Sequence, residues 1–365
     1  MRNNLFLGVA AVALIAPAAA SAQETTARIR GTVTANGQPV AGATVVAIDV
    51  ASGTRSETTT EADGGFNFSG LRPGGPYTVE VTSPQGNTTV TDIFTVVQQE
   101  FQLPIDLTAT ATTGAVGEEI VVTASSIAGA GSSSDGPQTV LTQADIRGVA
   151  SVNRDIRDIQ RRDPFATLDV SNQSERGGAV SFAGVNPRFN RFTINGVQVG
   201  DTFGLNQDAS PTGRGPVPYD ALGQVSVSIA PYDIRQGNFQ GGVIDAVLLS
   251  GTNEFHGTGF YSQSRDELQG KRTKDDRLTV PNYLSETYGA TFRGPIIRDK
   301  LFFMVSAERN TDPRPFGTQL ANIPRLTQST VDQIVATASS AYNYDPGGVL
   351  VINNRKDEKI VGRLD

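Results

Sequence analysis

One histidine, His256, is the whole supply of imidazole in 365 residues, and there is no cysteine. Zinc is held by three or four His, Cys or carboxylate ligands, so a lone His has no partners for a metal site. Its setting, "FHG", fits a structural place where two segments join. Asp275 and Asp276 could meet a calcium ion, but Arg272, Lys274 and Arg277 crowd them. Such mixed charge is the composition of a solvated loop. The sequence carries no nucleophile–base arrangement, phosphate loop or iron–sulfur spacing. It also lacks a paired-carboxylate motif in a glycosidase context. No catalytic, cofactor-binding or metal-binding residue is assigned, and the chain is expected not to be an enzyme.

"EEIVVTA" comprises Glu118, Glu119, Ile120, Val121, Val122, Thr123 and Ala124. Its apolar centre has high β propensity, yet its flanks, "ATATTGAVG" and "SSIAGAGSSSDG", have linker composition. A sticky strand in a linker is an aggregation hazard. Taken by themselves the residues also suit an ordinary plug strand or a loop that packs down.

The elements around it are mainly β. Residues 1–22 have one basic residue, an apolar run broken by Pro17, and a closing Ala20-Ser21-Ala22. This is the pattern of a cleaved secretory signal. Residues 23–107 are expected to form a β-sandwich. Short alternating segments such as "ARIRGTV", "GFNFSGL" and "YTVEVTS" are separated by Asn36-Gly37, Asp63-Gly64-Gly65 and Pro73-Gly74-Gly75 turns. Residues 108–137 are the linker. Residues 138–252 look like an α/β domain. Thr142 can cap one helix and Ser151 another, with Val149, Val152, Ile156 and Ile159 on one face and Pro164 as terminator. "NRFTINGVQVGD" is a hairpin turning at Asn195-Gly196.

From residue 253 the strands lengthen. Residues 255–265, 284–293, 300–310 and 357–365 alternate apolar and polar, at about the 9–11 residues a tilted membrane strand needs. On the third, Leu301, Phe303, Val305 and Ala307 face one way and Phe302, Met304, Ser306, Glu308 and Asn310 the other. The connections 266–283, 294–299 and 311–355 run long, short, long, as in an outer-membrane barrel. In the last, Val331, Ile334, Val335, Ala338 and Tyr342 have helical spacing, expected to pack within the loop. The net charge of −7 and the absence of basic runs exclude nucleic acid as a partner.

Three resemblances follow from these residues. "GTVTANGQPVAGATVVAID…TTTEADGGFNFSGLRPGGPYTVEV" resembles the carboxypeptidase regulatory-like domain, a transthyretin-like sandwich without peptidase ligands. "VPYDALGQVSVSIAPYDIRQGNFQGGVIDAVLLSGTNEFHGTGFY" resembles the end of a plug domain and the first barrel strand. "YGATFRGPIIRDKLFFMVSAER" resembles the first barrel hairpin. The order is similar to that of TonB-dependent outer-membrane receptors of the Oar-like kind, in which "EEIVVTA" resembles the TonB box. Phe182-Ala183-Gly184 and Asp245-Ala246 depart from the usual plug pattern.

The resemblance implies a transthyretin-like sandwich, an α/β plug and the start of a transmembrane antiparallel barrel. It implies energised uptake across the bacterial outer membrane. Glu118–Ala124 would be added as a strand to the sheet edge of the periplasmic domain of TonB, driven by the ExbB/ExbD complex, which requires the segment to be free and packed into neither neighbouring domain. Outer-membrane lipid and an unidentified extracellular ligand are the other partners. Plugged barrels have about 22 strands against four here, so the sequence is expected to be part of a longer chain. One rival reading is an exported adhesion or binding protein built on the sandwich. Another is a carbohydrate-active enzyme with an accessory sandwich. Amphipathic strands beyond residue 255 count against the first, and the missing carboxylate motif against the second.

Overall fold

Strict alternation between residues 27 and 106 closes into a sandwich because every second side chain finds the same apolar interior. Strand β1 (Ala27–Ala35) buries Ala27, Ile29 and Val33. It pairs antiparallel with β4 (Gly65–Leu71) and parallel with β7 (Glu100–Asp106). The facing sheet orders β3 (Arg55–Thr59), β2 (Thr44–Asp49), β5 (Gly74–Ser83) and β6 (Gly86–Thr95). Phe66 and Phe68 meet edge to face between the sheets, with ring centroids 6.0 Å apart. The β1–β7 approach admits no side chain at Gly31: a Cβ there would stand 2.0 Å from the Leu103 carbonyl oxygen.

These features come from a computed structural model. It describes residues 25–110, 120–132, 136–169, 178–201, 203–204, 206, 208–229, 237, 239–268, 270, 272–274, 276–277, 283–315, 326–347 and 352–365. The signal segment 1–22, Glu118, Glu119 and Asp275 therefore lie outside the described residues.

Two further strands belong to the sandwich. β8 (Ile120–Thr123) pairs parallel with β6, Thr88 opposite Ile120 through Thr91 opposite Thr123. β9 (Gly131–Ser132) pairs antiparallel with β7, opposite Gln102 and Phe101. The freedom expected of this segment is thus not what the fold gives. A β-prone stretch beside an open sheet edge satisfies its backbone there.

The α/β domain is built on five strands ordered β10, β15, β16, β13, β14. These are β10 (Gln138–Leu141), β13 (Arg191–Ile194), β14 (Val197–Gln198), β15 (Leu222–Ile229) and β16 (Gly242–Leu248). A separate pair, β11 (Ala166–Asp169) and β12 (Ala179–Phe182), lies beside it. The expected hairpin turns through Asn195 and Gly196, both in the left-handed region (φ 49° and 79°). Helix α1 (Gln143–Gly148) starts with a capping box between Thr142 and Asp145. Helix α2 (Ile156–Gln160) is shorter than its periodicity predicts. Arg154 takes φ 51°, so no helix runs through 152–154, and Val152 is exposed. Asp155, not Ser151, caps it, its carboxylate accepting from the Arg157 N–H at 3.0 Å. Ser151 instead accepts from the Asp155 N–H and donates to Asp158.

Four long antiparallel strands complete the described chain in the order β17 (His256–Arg265), β18 (Leu284–Ile297), β19 (Leu301–Pro315) and β20 (Ile352–Leu364). Each outruns its expected length at one end or both, except β17. Phe302, Met304, Ser306, Glu308 and Asn310 are buried on the inner face, where Met304 joins the apolar core of the α/β domain. On the outer side Tyr288, Phe292, Val305, Ile360 and Leu364 are exposed. That is the apolar-out alternation of a membrane strand. Helix α3 (Gln328–Tyr342) forms between β19 and β20, capped by Thr327 and ended by Asn343 in the left-handed region. It buries no residue, so the packing expected for its apolar stripe is absent among the described residues.

Candidate partner-docking segment and the seam behind it

Of the seven residues Glu118–Ala124, five are described, and they sit at the margin of the sandwich. Ile120–Thr123 form the outermost strand of their sheet, so one row of backbone N–H and C=O groups faces outward. Val121 and Thr123 are exposed, Val122 is half-buried and Ala124 is buried in the sandwich core. Thr123 leads into a single 3₁₀ turn, Ala124–Ser126, in which the Ser126 hydroxyl donates to the Thr123 carbonyl at 2.7 Å. This arrangement can bond a strand through its backbone and supports no covalent chemistry.

The sandwich is fastened to the rest at the short-turn end of the barrel strands. Gln224 donates its side-chain amide to the Thr95 carbonyl at 3.1 Å. Asn253 donates to the Ser52 carbonyl and to Asp299, the latter at 2.7 Å. The Arg72 guanidinium lies 5.4 Å from the centre of the Phe302 ring. The sandwich, with Ile120–Thr123 as one of its strands, therefore meets the tight turn at residues 298–300. Helix α3 lies in the long connection at the other end of β19 and β20.

Between the α/β domain and the barrel strands runs a seam of buried charge. Glu308 is 2% exposed and receives Arg154 (3.5 Å), Lys359 (3.7 Å) and Arg214 (4.0 Å). Asp357 meets Lys359 at 3.5 Å and Arg214 at 3.7 Å. Arg154 also binds Asp220 at 2.6 Å and lies 3.5 Å from the Phe260 ring centre. Deeper in, Arg157 bridges Asp155 and Asp208. Burial opposes its charge, but the two carboxylates prevail and hold its pKa above the usual arginine value. Tyr219, beneath Arg154, is pushed up to about 12 by burial and by Asp158. None of these residues belongs to a sequence motif; the signal that could have found them is Glu308, a carboxylate on the face of β19 that carries Phe302 and Met304.

Asp245 is a second buried carboxylate, central in the α/β sheet. One oxygen accepts from the Thr193 hydroxyl and, at 2.8 Å, from the Gly196 N–H; the other has no hydrogen-bond partner among the described residues. Burial raises its pKa. His256 stands exposed on β17 opposite Arg293. No group of three or more His, Cys, Asp or Glu able to hold a metal occurs among the described residues. Among the described residues no helix is long and apolar enough to cross a membrane, which says nothing of barrel strands.

Comparison with known proteins follows the same division. Residues 28–110 match the carboxypeptidase regulatory-like domain, and residues 247–356 match an outer membrane beta barrel domain. The TonB-dependent transporter Oar of Myxococcus xanthus is 32% identical over 146 residues, which is 38% of this chain and 13% of that protein. The chain thus spans a small part of its relative's length. Among solved structures, the outer membrane transporter YddB from Escherichia coli overlaps at TM-score 0.42 with 18% identity, covering 62% of this chain and 30% of that one. The siderophore receptor PirA from Acinetobacter baumannii overlaps at TM-score 0.37 with 22% identity, covering 49% and 25%. The matched barrel domain, with its apolar outer face, locates the chain in the outer membrane.

Proposed function

We propose a role in energised uptake for this chain, which carries domains of an Oar-like TonB-dependent outer-membrane receptor. Glu118–Ala124 is the docking strand. The periplasmic domain of TonB takes it by strand addition, and the ExbB/ExbD complex supplies the pull. Force on the segment is passed to the α/β plug, which begins a few residues further on and blocks the barrel. The ligand enters from the side of the long loops, and its identity is open. The residues at the plug–barrel seam are ion-paired in place, and the role is transport.

The observation that carries this reading is the geometry of Ile120–Thr123. It is already a strand, it lies outermost in its sheet, and it belongs to the sandwich, which meets the short-turn end of the barrel strands through Ser52 and Arg72. A sheet edge recognises such a segment through main-chain hydrogen bonds. Calorimetric titration of the full chain in detergent with a purified TonB periplasmic domain tests it. Proline cannot donate to a ladder. Val121→Pro and Val122→Pro are expected to abolish binding, whereas Val121→Ala weakens it modestly. Unchanged affinity in both proline variants would falsify the docking-strand assignment.

A further inference from the structure

We propose that the cleft between helix α1 and the first two barrel strands is an oxyanion site, which takes phosphate, or the phosphate group of a larger solute, between the guanidinium forks of Arg147 and Arg293.

The first observation is an imbalance of charge. At the boundary of plug and barrel, Arg154, Arg157, Arg214 and Arg363 each meet a carboxylate. Arg293, on β18, does not. It is half-buried and donates to the Ser250 carbonyl at 3.2 Å. The charge that bears on it is another cation, Arg147 of α1, which is exposed at the mouth of the cleft. Among the described residues neither arginine has a carboxylate within ion-pair distance. Two like charges thus face one another where partial burial weakens their screening by water. An anion between them turns that repulsion into two attractions.

The second observation is the space between them. A cavity of about 160 Å³ is lined by Arg147 and Arg293 with Gln143, His256, Thr258 and Thr291. That is far above the roughly 10–15 Å³ that a single water requires. His256 stands opposite Arg293 in the β17–β18 ladder, and Thr258 opposite Thr291 two residues on, so strand alternation turns all four toward the plug. The one carboxylate on the cavity wall, Asp220, is already bound by Arg154 at 2.6 Å. The lining therefore offers donors without a free counter-charge.

These features select the ligand. Arginine presents a rigid fork that matches phosphate or carboxylate oxygens two at a time. One fork fills a planar carboxylate. Two forks reaching in from opposite walls suit a tetrahedral group, which has oxygens for both. A second cavity, of about 280 Å³, shares Gln143, Leu249 and Arg293 with the first. It is lined by Gln224, whose buried side-chain oxygen has no hydrogen-bond partner among the described residues. A phosphate ester carrying a hydroxyl has room there and an acceptor to meet. Phe292, next in the chain to Arg293, is exposed on the opposite, lipid-facing side of β18. The oxyanion therefore arrives from water rather than as a lipid headgroup. Once bound, it ties α1 of the plug to the barrel wall.

Calorimetric titration of the full chain in detergent with inorganic phosphate, in chloride buffer at constant ionic strength, tests the site. Saturable binding is expected, weakened at least about tenfold in Arg147→Gln and in Arg293→Gln, since each variant loses a set of charge-assisted hydrogen bonds. Arg147 is exposed on its helix, so its substitution leaves the fold intact even if Arg293→Gln does not fold. By mass action, phosphate should raise the melting temperature of the unaltered chain and not that of the variants. No saturable binding up to millimolar phosphate, or unchanged affinity in Arg147→Gln, overturns the proposal. Two competitors define the ligand. Acetate competing as well as phosphate would overturn the choice of a tetrahedral group. Phosphatidylglycerol added to the micelles is expected to leave phosphate affinity unchanged; displacement of phosphate by the lipid would overturn the aqueous source.

Discussion

The segment 120–132 on the sandwich and the seam between the plug and the barrel strands both fasten one part of the chain to another, with opposite materials. The segment is held by a backbone ladder and a few small apolar side chains. The seam is held by Arg154, Arg214 and Lys359 around Glu308 and Asp357. A ladder comes apart one residue at a time, each group passing from protein to water at little net cost. A buried charge cluster does not: removing one member leaves the others uncompensated in a poor solvent for charge. The first chemistry makes a joint that yields locally, and the second a joint that fixes register.

The largest expected effect strikes the seam. Glu308→Ala leaves Arg154, Arg214 and Lys359 facing one another and is expected to cost about 3–5 kcal/mol. Urea unfolding followed by tyrosine fluorescence measures it. Pairing it with Lys359→Met should recover part of the loss, and a fully additive double variant would show that the seam is not one electrostatic unit.

Next comes the sandwich. Gly31→Ala forces a Cβ into the Leu103 carbonyl and is expected to cost about 1–3 kcal/mol by overpacking. The sandwich transition should shift while the plug transition holds. A common shift of both would mean that the sandwich and plug melt as one body.

A smaller effect tests the local structure of the plug. Thr142→Ala removes the α1 cap at a cost of about 1 kcal/mol. Its partner Asp145 has a pKa held below the usual carboxylate value by the Thr142 side-chain and backbone hydrogen bonds. A carboxylate with a depressed folded pKa stabilises above its unfolded value and loses that contribution as pH falls below it. The cost of Thr142→Ala should therefore shrink in acid, in a pH series of thermal melts. A pH-independent cost would mean that the capping box does not persist in solution.

The smallest separates charge from shape. Asp245→Asn keeps an acceptor for Thr193 and Gly196 and removes the buried charge. Burial raises the Asp245 pKa, so the native state holds its proton more firmly and stability declines as pH rises from the ordinary carboxylate range. The Asn variant should lack that decline and melt slightly higher near neutral pH. A lower melt would show that the charge itself is stabilising, through Arg191.

Much of the architecture was legible because it is written in local alternation. Phe302, Met304 and Ser306 facing in and Val305 facing out follow from a period of two along one strand, whatever the neighbours. The Asn195-Gly196 turn follows from the few residues that tolerate left-handed backbone. The helix expected from Ser151 onward failed because a periodic apolar pattern does not register a single left-handed residue, Arg154, that blocks it. The seam was out of reach because Arg154, Arg214, Glu308 and Lys359 are far apart in sequence and meet only when the barrel strands wrap the plug.

Ile120–Thr123 show the same division most sharply. Its residue types fixed that Ile120–Thr123 would be a strand, since β-branched side chains favour extended backbone and the flanks favour nothing. They could not say beside which edge. Strand pairing is made by backbone groups that every residue carries, so the choice of partner leaves no signature in the strand itself. It was decided by the fold, which leaves the β6 edge open within reach of the chain that follows β7.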